Sequence, residues 1–289
     1  MTKLTESPQN TTMEETREAI LKNALHDLYY SKGVSQNKAA IKIGISAAYL
    51  SFIANDNWNA VPADKFEIIW NKVVADKMQI FNTYAFNVCS KTCLSAKINH
   101  FMVGITADTG IGKTTALTAF ARKKNVYYVV YDMTMRPKHF FIALLKELGI
   151  SFEGSIHEMV NRIAEELNTL KEPLVIVDEA GKLTHAMITY LHVLRDKTIK
   201  NCGIVLAGMP YFESNLRKFS NKQKVGAAEF LRRISLWQHL DDLSRREIKE
   251  ICEANGIYDD DFLREVGNKK RFGDLQNAIT FYKLQQNEL

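Results

Sequence analysis

Two glycines and a lysine constrain this chain more than any other feature. FMVGIT at 101–106 is apolar on both faces and runs directly into ADTGIGKTT at 107–115, which opens a helical stretch. Gly110 and Gly112 let the backbone curl so that successive N–H groups converge on an anion. The helix that follows adds the positive end of its dipole. In such a loop Lys113 reaches the β- and γ-phosphates of ATP, and the Thr114 hydroxyl holds Mg²⁺. Asp108, Thr109 and Ile111 complete the cradle, with Thr115 toward the α-phosphate. The strict pattern begins with Gly, and Ala107 stands in that place here. A GKT triplet can fall in a loop by chance, but a strand before it and a helix after it argue for a phosphate site.

A second element fits the first. LVIVDE at 174–179 is an apolar strand ending in two acids. Asp178 would act on Mg²⁺ and Glu179 would polarise an attacking water. An acidic pair at a strand end can also be a solvated turn; downstream of a phosphate loop it reads as chemistry. Glu179 argues against a small-molecule kinase, which passes the phosphoryl group to a substrate and needs no water-activating carboxylate there.

Further β-rich runs, at 126–132, 203–208 and 234–240, alternate with helical periods. Strands apolar on both faces and separated by helices predict an α/β fold with a parallel sheet covered on both sides. After Asp241 the pattern is helical, opened by a capping box at Ser244 and Glu247. The length of 289 residues suggests about two domains, and 46% hydrophobic residues suffice for real cores. No stretch approaches the ~18 apolar residues of a membrane helix, and the polar start lacks a secretory signal, so a cytoplasmic location without a membrane partner is expected. The scattered Cys89, Cys93, Cys202 and Cys252 fit reduced thiols. Cys89 and Cys93 lie one helical turn apart, yet no second Cys/His pair completes a zinc site. A net charge of +5 permits a nucleic-acid partner without requiring one.

Residues 1–13 read as a loose tail. From 14 to 76 the pattern is helical, with Ile20, Leu21, Ala24, Leu25 and Leu28 on one stripe and Ile68, Ile69 and Val73 on another. Within it, QNKAAIKIGISAAYLSFI at 36–53 predicts a helix–turn–helix. Ala40 is small where helices cross, Gly44 supplies the left-handed turn, Ser46 caps the second helix, and Ile43, Ile45, Leu50 and Ile53 face inward. This resembles the DNA-binding domains of the phage lambda repressor and Cro family; a helical bundle with a different task would share the shape. Its second helix offers Ser46, Ala47, Ala48, Tyr49 and Ser51, none of them a bidentate base reader. Lys32, Lys38, Lys42, Asn55, Asn57 and Trp58 could meet phosphates and sugars, so weak or sequence-tolerant DNA binding is expected. Residues 77–98 read as a helical connector, 99–240 as the sheet domain and 241–289 as a helical lid.

The sheet domain and lid together resemble an AAA+ ATPase. That resemblance implies an arginine finger at Arg232 or Arg233, in AEFLRRISLW, reaching a neighbouring subunit's nucleotide, and hence a homo-oligomer. It also implies a nucleotide contact from Arg271 in NKKRFGDLQNAI. The family's polar residue at the end of the fourth strand is missing, because Ala207, Gly208 and Met209 stand there. With the helix–turn–helix in front, the whole chain is similar to the phage Mu B group of transposition ATPases. The resemblance implies ATP-dependent filaments on double-stranded DNA of any sequence, delivery of that DNA to a transposase, and slow hydrolysis stimulated by these partners. It places DNA contacts on loops of the ATPase domain, where Arg136 and Lys138 are candidates, followed by Lys182, Arg217, Lys218, Lys222 and Lys224. A helicase loader or replication initiator, and a nucleotide-sensing transcriptional regulator, are the alternatives.

Overall fold

The computed structural model describes residues 17–30, 33–73 and 81–287. The expected tail at 1–13, Lys32 and the start of the expected connector lie outside the described residues. The chain divides into two compact units, 1–78 and 79–289.

The first unit holds α1 (Arg17–Leu28), α2 (Gln36–Ile43), α3 (Ala47–Ala54) and α4 (Ala63–Val73). Leu21, Leu25, Ala39, Ala40, Ile43, Leu50, Ile53 and Ile69 make its core. Ser35 caps α2 and Ser46 caps α3, each hydroxyl accepting a backbone N–H. Between them Gly44 takes φ 83°, where a side chain would be strained. One expected core residue is misplaced: Ile68 is 39% exposed, and Ile69 and Val73 carry that face of α4 instead. Ile69 and Val73, four apart, lie one above the other on the buried face, and the packing around α4 leaves Ile68 at its margin.

The second unit is a five-stranded parallel sheet, in the order β2-β3-β4-β1-β5, between two helical layers. It runs α5 (Tyr84–Asn99), β1 (Met102–Thr106), α6 (Lys113–Ala121), β2 (Val126–Val130), α7 (Pro137–Glu147), α8 (Ile156–Thr169), β3 (Leu174–Asp178), α9 (His185–Thr198), β4 (Gly203–Gly208), α10 (Tyr211–Asn221), α11 (Ala227–Arg233) and β5 (Ile234–His239). The three central strands are buried at every residue, whereas β5, at the edge, is half-exposed. One face packs on α7, α8 and α9 through Phe140, Phe141, Ile163 and Leu191. The other packs on α5 and α6 through Cys89, Cys93, Ala96, Leu117 and Phe120.

Residues 84–98, read as connector, are therefore a core layer of the sheet domain. The small residues of α5 let it lie close on β4: a side chain at Gly203 would collide with the Ala96 carbonyl. Cys89 and Cys93 serve this packing. A hydrogen bond to Cys89, with burial, holds the Cys93 thiol well above its usual range.

The lid comprises α12 (Arg245–Ala254), α13 (Asp260–Val266) and α14 (Phe272–Asn287) around their own small core. Ser244 and Glu247 form the capping box. Glu247 also accepts the Tyr84 N–H at 2.6 Å, so one carboxylate caps both α12 and α5. No described helix is long and apolar enough to cross a membrane.

Candidate nucleotide site

The parallel register brings the carboxyl ends of β1, β3 and β4 to one edge of the sheet, where open α/β sheets bind ligands. Ala107 continues β1 by donating its N–H to the Gly208 carbonyl at 3.1 Å, and the loop then turns away. Gly110 and Gly112 adopt φ 84° and 99°, and Gly112 is the N-cap of α6. Apart from its own chain neighbours, nothing lies within 4 Å of where a Gly112 Cβ would stand, so that position is open. Asp108, Thr109 and Gly110 are exposed, while Ile111 is buried and anchors the loop in the core.

Lys113 opens α6 and is 8% exposed. Its ammonium lies 2.5 Å from Asp178 Oδ1 at the end of β3. Thr114 donates its hydroxyl to Asp178 Oδ2 at 2.8 Å, and Tyr128 donates to the same oxygen at 3.0 Å. The Glu179 N–H donates to Oδ1 at 2.8 Å. A buried carboxylate thus meets one cation and three neutral donors, the condition under which its charge can be kept out of water. Burial, and then the Asp178 charge, raises the Tyr128 phenol above its ordinary value, so it remains an O–H donor.

Glu179 sits in the left-handed region at φ 58°, which turns the chain sharply at the strand end. Its carboxylate is 4.0 Å from Lys113 and 3.2 Å from Lys182. Lys182, considered for DNA contact, is thereby paired within the site. The turn also explains the end of β4. A side chain at Gly208 would begin 2.8 Å from the Gly181 nitrogen, so the position closes against the Glu179 turn. Beyond it the Met209 sulfur accepts the Thr109 hydroxyl at 3.4 Å, facing the phosphate loop with a thioether.

The lid docks on the loop through the Gly273 N–H, which donates to the Gly110 carbonyl at 2.9 Å. Arg271 lies directly over Gly110, its Cβ 3.5 Å from where a Gly110 side chain would start. Asp108 and Arg271 share a cleft of about 960 Å³ with Asp242, Asp259 and Asp274. At the other candidate positions, Arg233 is held by Asp196 at 2.8 Å, whereas Arg232 is exposed with no ion-pair partner among the described residues. Arg136 and Lys138 are exposed at the start of α7 beside Met133. In the first unit the Ser46 hydroxyl is spent on capping, and Tyr49 is half-buried against the core with its ring on Phe52. Trp58 likewise packs on Phe66.

The donors suit Mg²⁺ and a polyphosphate. Hard oxygen ligands from Thr114 and Asp178 stand together beside an open backbone cradle with a lysine at its base. Among the described residues no group of three or more His, Cys, Asp or Glu side chains could hold a metal. Tyr128 escapes sequence reasoning because it belongs to no motif, whereas Lys182 is singled out by the sequence only as a DNA contact. The available signals are a pair of tyrosines, Tyr127 and Tyr128, inside an apolar strand and a cation three residues after Glu179.

Residues 100–216 match the family model of an AAA domain. That span runs from the start of β1 into α10 and contains the phosphate loop and the Asp178–Glu179 pair. No curated protein matches the chain. Among solved structures it is similar to the replication initiator DnaA bound to AMPPCP and single-stranded DNA, at 16% identity and TM-score 0.47 over 74% of this chain and 65% of that one. It is similar to a Walker-type ATPase of Pyrococcus abyssi, at 14% identity and TM-score 0.48 over 69% and 66%. A RuvB of Thermotoga maritima follows at 16% identity and TM-score 0.37 over 60% and 49%. The chain thus spans from half to about two thirds of these proteins.

Proposed function

We propose that this protein binds and hydrolyses ATP, assembles with its own copies on double-stranded DNA with little sequence preference, and delivers that DNA to a transposase. The observation that carries the ATPase reading is the cluster of donors around buried Asp178, with Glu179 beside it.

Lys113 and Asp178 neutralise each other across 2.5 Å. A triphosphate on the loop offers the ammonium a stronger partner, and Lys113 turns to the β- and γ-phosphates while Gly110 and Gly112 present N–H groups. Thr114 and Asp178 are then the protein's oxygens for Mg²⁺. The bound ion would draw negative charge from the phosphates and orient them. Glu179 accepts the proton of the attacking water, which requires release from Lys182. Arg232 is the stronger finger candidate, because Arg233 would first have to leave Asp196. Arg271, over the loop, couples the lid to the nucleotide.

The DNA reading rests on other observations. The capped turn between α2 and α3 fits the helix–turn–helix resemblance, and its lack of base-reading side chains suits a protein that accepts many sequences. Arg136 and Lys138 are free to meet phosphates. Delivery to a transposase rests on the Mu B resemblance alone.

A nucleotide-sensing regulator is favoured by one observation, the thioether and closed glycine at the end of β4 where a polar sensor would assist hydrolysis. Glu179→Gln separates the two. With ATP, Mg²⁺ and random-sequence duplex, electron microscopy of this variant should show long-lived filaments while phosphate release falls roughly 10²-fold or more. Isolated particles at particular sites, indifferent to ATP and to the substitution, would move the assignment to the regulator.

A further inference from the structure

Asp178 is 1% exposed and receives four donors, two on each oxygen. They differ in what nucleotide asks of them. Lys113 must turn to the phosphates, and the Thr114 oxygen must take up the metal. The Glu179 N–H is backbone and stays, but it holds Oδ1. On Oδ2, the oxygen shared with Thr114, the remaining donor is the Tyr128 hydroxyl. Tyr128 is the middle residue of β2, pairs in register with Ile176 two residues before Asp178, and has its ring half-buried against the α5–α6 core layer. Strand and ring are therefore fixed with respect to β3, and neither belongs to the nucleotide loop.

We propose that Tyr128 is a positioning residue for the metal: its hydroxyl holds Asp178 Oδ2 beside Thr114, so that the two oxygens capture Mg²⁺ together with the nucleotide. This rests on the nucleotide reading above. A rotation of the Asp178 carboxylate would separate the pair, and after Lys113 has left only Tyr128 opposes that rotation from the Oδ2 side. Donors that orient a metal ligand without touching the metal commonly matter for metal affinity.

Tyr128→Phe removes the hydroxyl and keeps the ring. The measurement is binding of a fluorescent, non-hydrolysable ATP analogue to the full chain, titrated with Mg²⁺ and separately in EDTA. The Mg²⁺ concentration for half-maximal tightening should rise roughly tenfold in the variant, while affinity in EDTA and the melting temperature stay near wild type. An unchanged Mg²⁺ midpoint overturns the inference and leaves the nucleotide reading standing. Equal losses with and without Mg²⁺ assign the hydroxyl to the pocket rather than the metal, and also overturn it. A wild-type protein that binds no analogue in either condition sinks the nucleotide reading and this inference with it. Tyr128→Leu, which also loses the ring, checks that any fall in melting temperature follows the ring and not the hydroxyl.

Discussion

The phosphate loop and helix α3 are both short motifs in which a glycine turn leads into a helix, yet they put their residues to opposite uses. In the loop, the glycines take the left-handed backbone, Ile111 is buried, and Lys113 and Thr114 reach the acid on the next strand but one. Its chemistry is largely backbone chemistry, so the residue spacing that shapes the turn also shapes the site. In α3, Ser46 caps, Leu50 and Ile53 fill the core, and Tyr49 is half-buried. The motif there specifies how two helices cross, and leaves little at its surface to say what they touch. A turn that is itself the binding site is legible as function; a turn that merely holds a helix is legible as shape.

The largest expected effect breaks that contrast at its centre. Lys113→Ala should weaken ATP binding by roughly 10²-fold, since it removes the cation that meets the β- and γ-phosphates. Isothermal titration with the ATP analogue measures it, and affinity within threefold of wild type would deny the loop its role. The next effect sharpens the other side. Arg136→Ala with Lys138→Ala should lower DNA affinity several-fold and reduce the salt slope by about 2, one for each DNA phosphate that is no longer neutralised. Ser46→Ala should instead leave DNA affinity near wild type and cost about 1 kcal/mol of stability in the first unit, the usual loss on removing a helix cap. Filter binding across a salt series and chemical denaturation read the two outcomes. A strong DNA defect in Ser46→Ala would return the α3 surface to the interface.

The smallest effect concerns capping that can titrate. Burial alone would raise the Glu247 carboxyl, but hydrogen bonds from Ser244 and the Tyr84 N–H prevail and lower it. A depressed folded pKa stabilises the folded chain above the ordinary glutamate range, near 4.3. The contribution is lost as pH falls through the folded value. Melting temperatures of wild type and Glu247→Gln should therefore differ modestly at pH 7 and converge as pH falls through the lowered folded value. A gap that widens in acid would reverse the sign of this argument.

Much of the second unit was legible because its strands are buried on both faces, which forces continuous apolar runs such as VIV at 175–177 and IVL at 204–206. The mistaken connector shows the limit. The face of α5 that meets the sheet carries Cys89, Cys93 and Ala96, small residues that make a weak periodic signal though they permit close packing. Ile68 shows another: adjacent helical residues can both be buried, as Phe140 and Phe141 are in α7, so only the neighbours of α4 decide that Ile69 is covered and Ile68 is not.

By itself, then, the chain determined the local geometry that short-range sterics control: the curled phosphate loop, the caps at Ser46 and Ser244, and the order of strands and helices along it. Tertiary structure decided which distant groups meet. Asp178 joins Lys113 only because β3 lies one strand away from β1 across β4, and Tyr128 joins it because β2 pairs with β3. Gly273 reaches Gly110 only when the lid folds back. Spacing along a chain encodes a turn, because turn energies depend on neighbouring residues. Contacts between strands depend on how the whole sheet is ordered, and no local pattern carries that order.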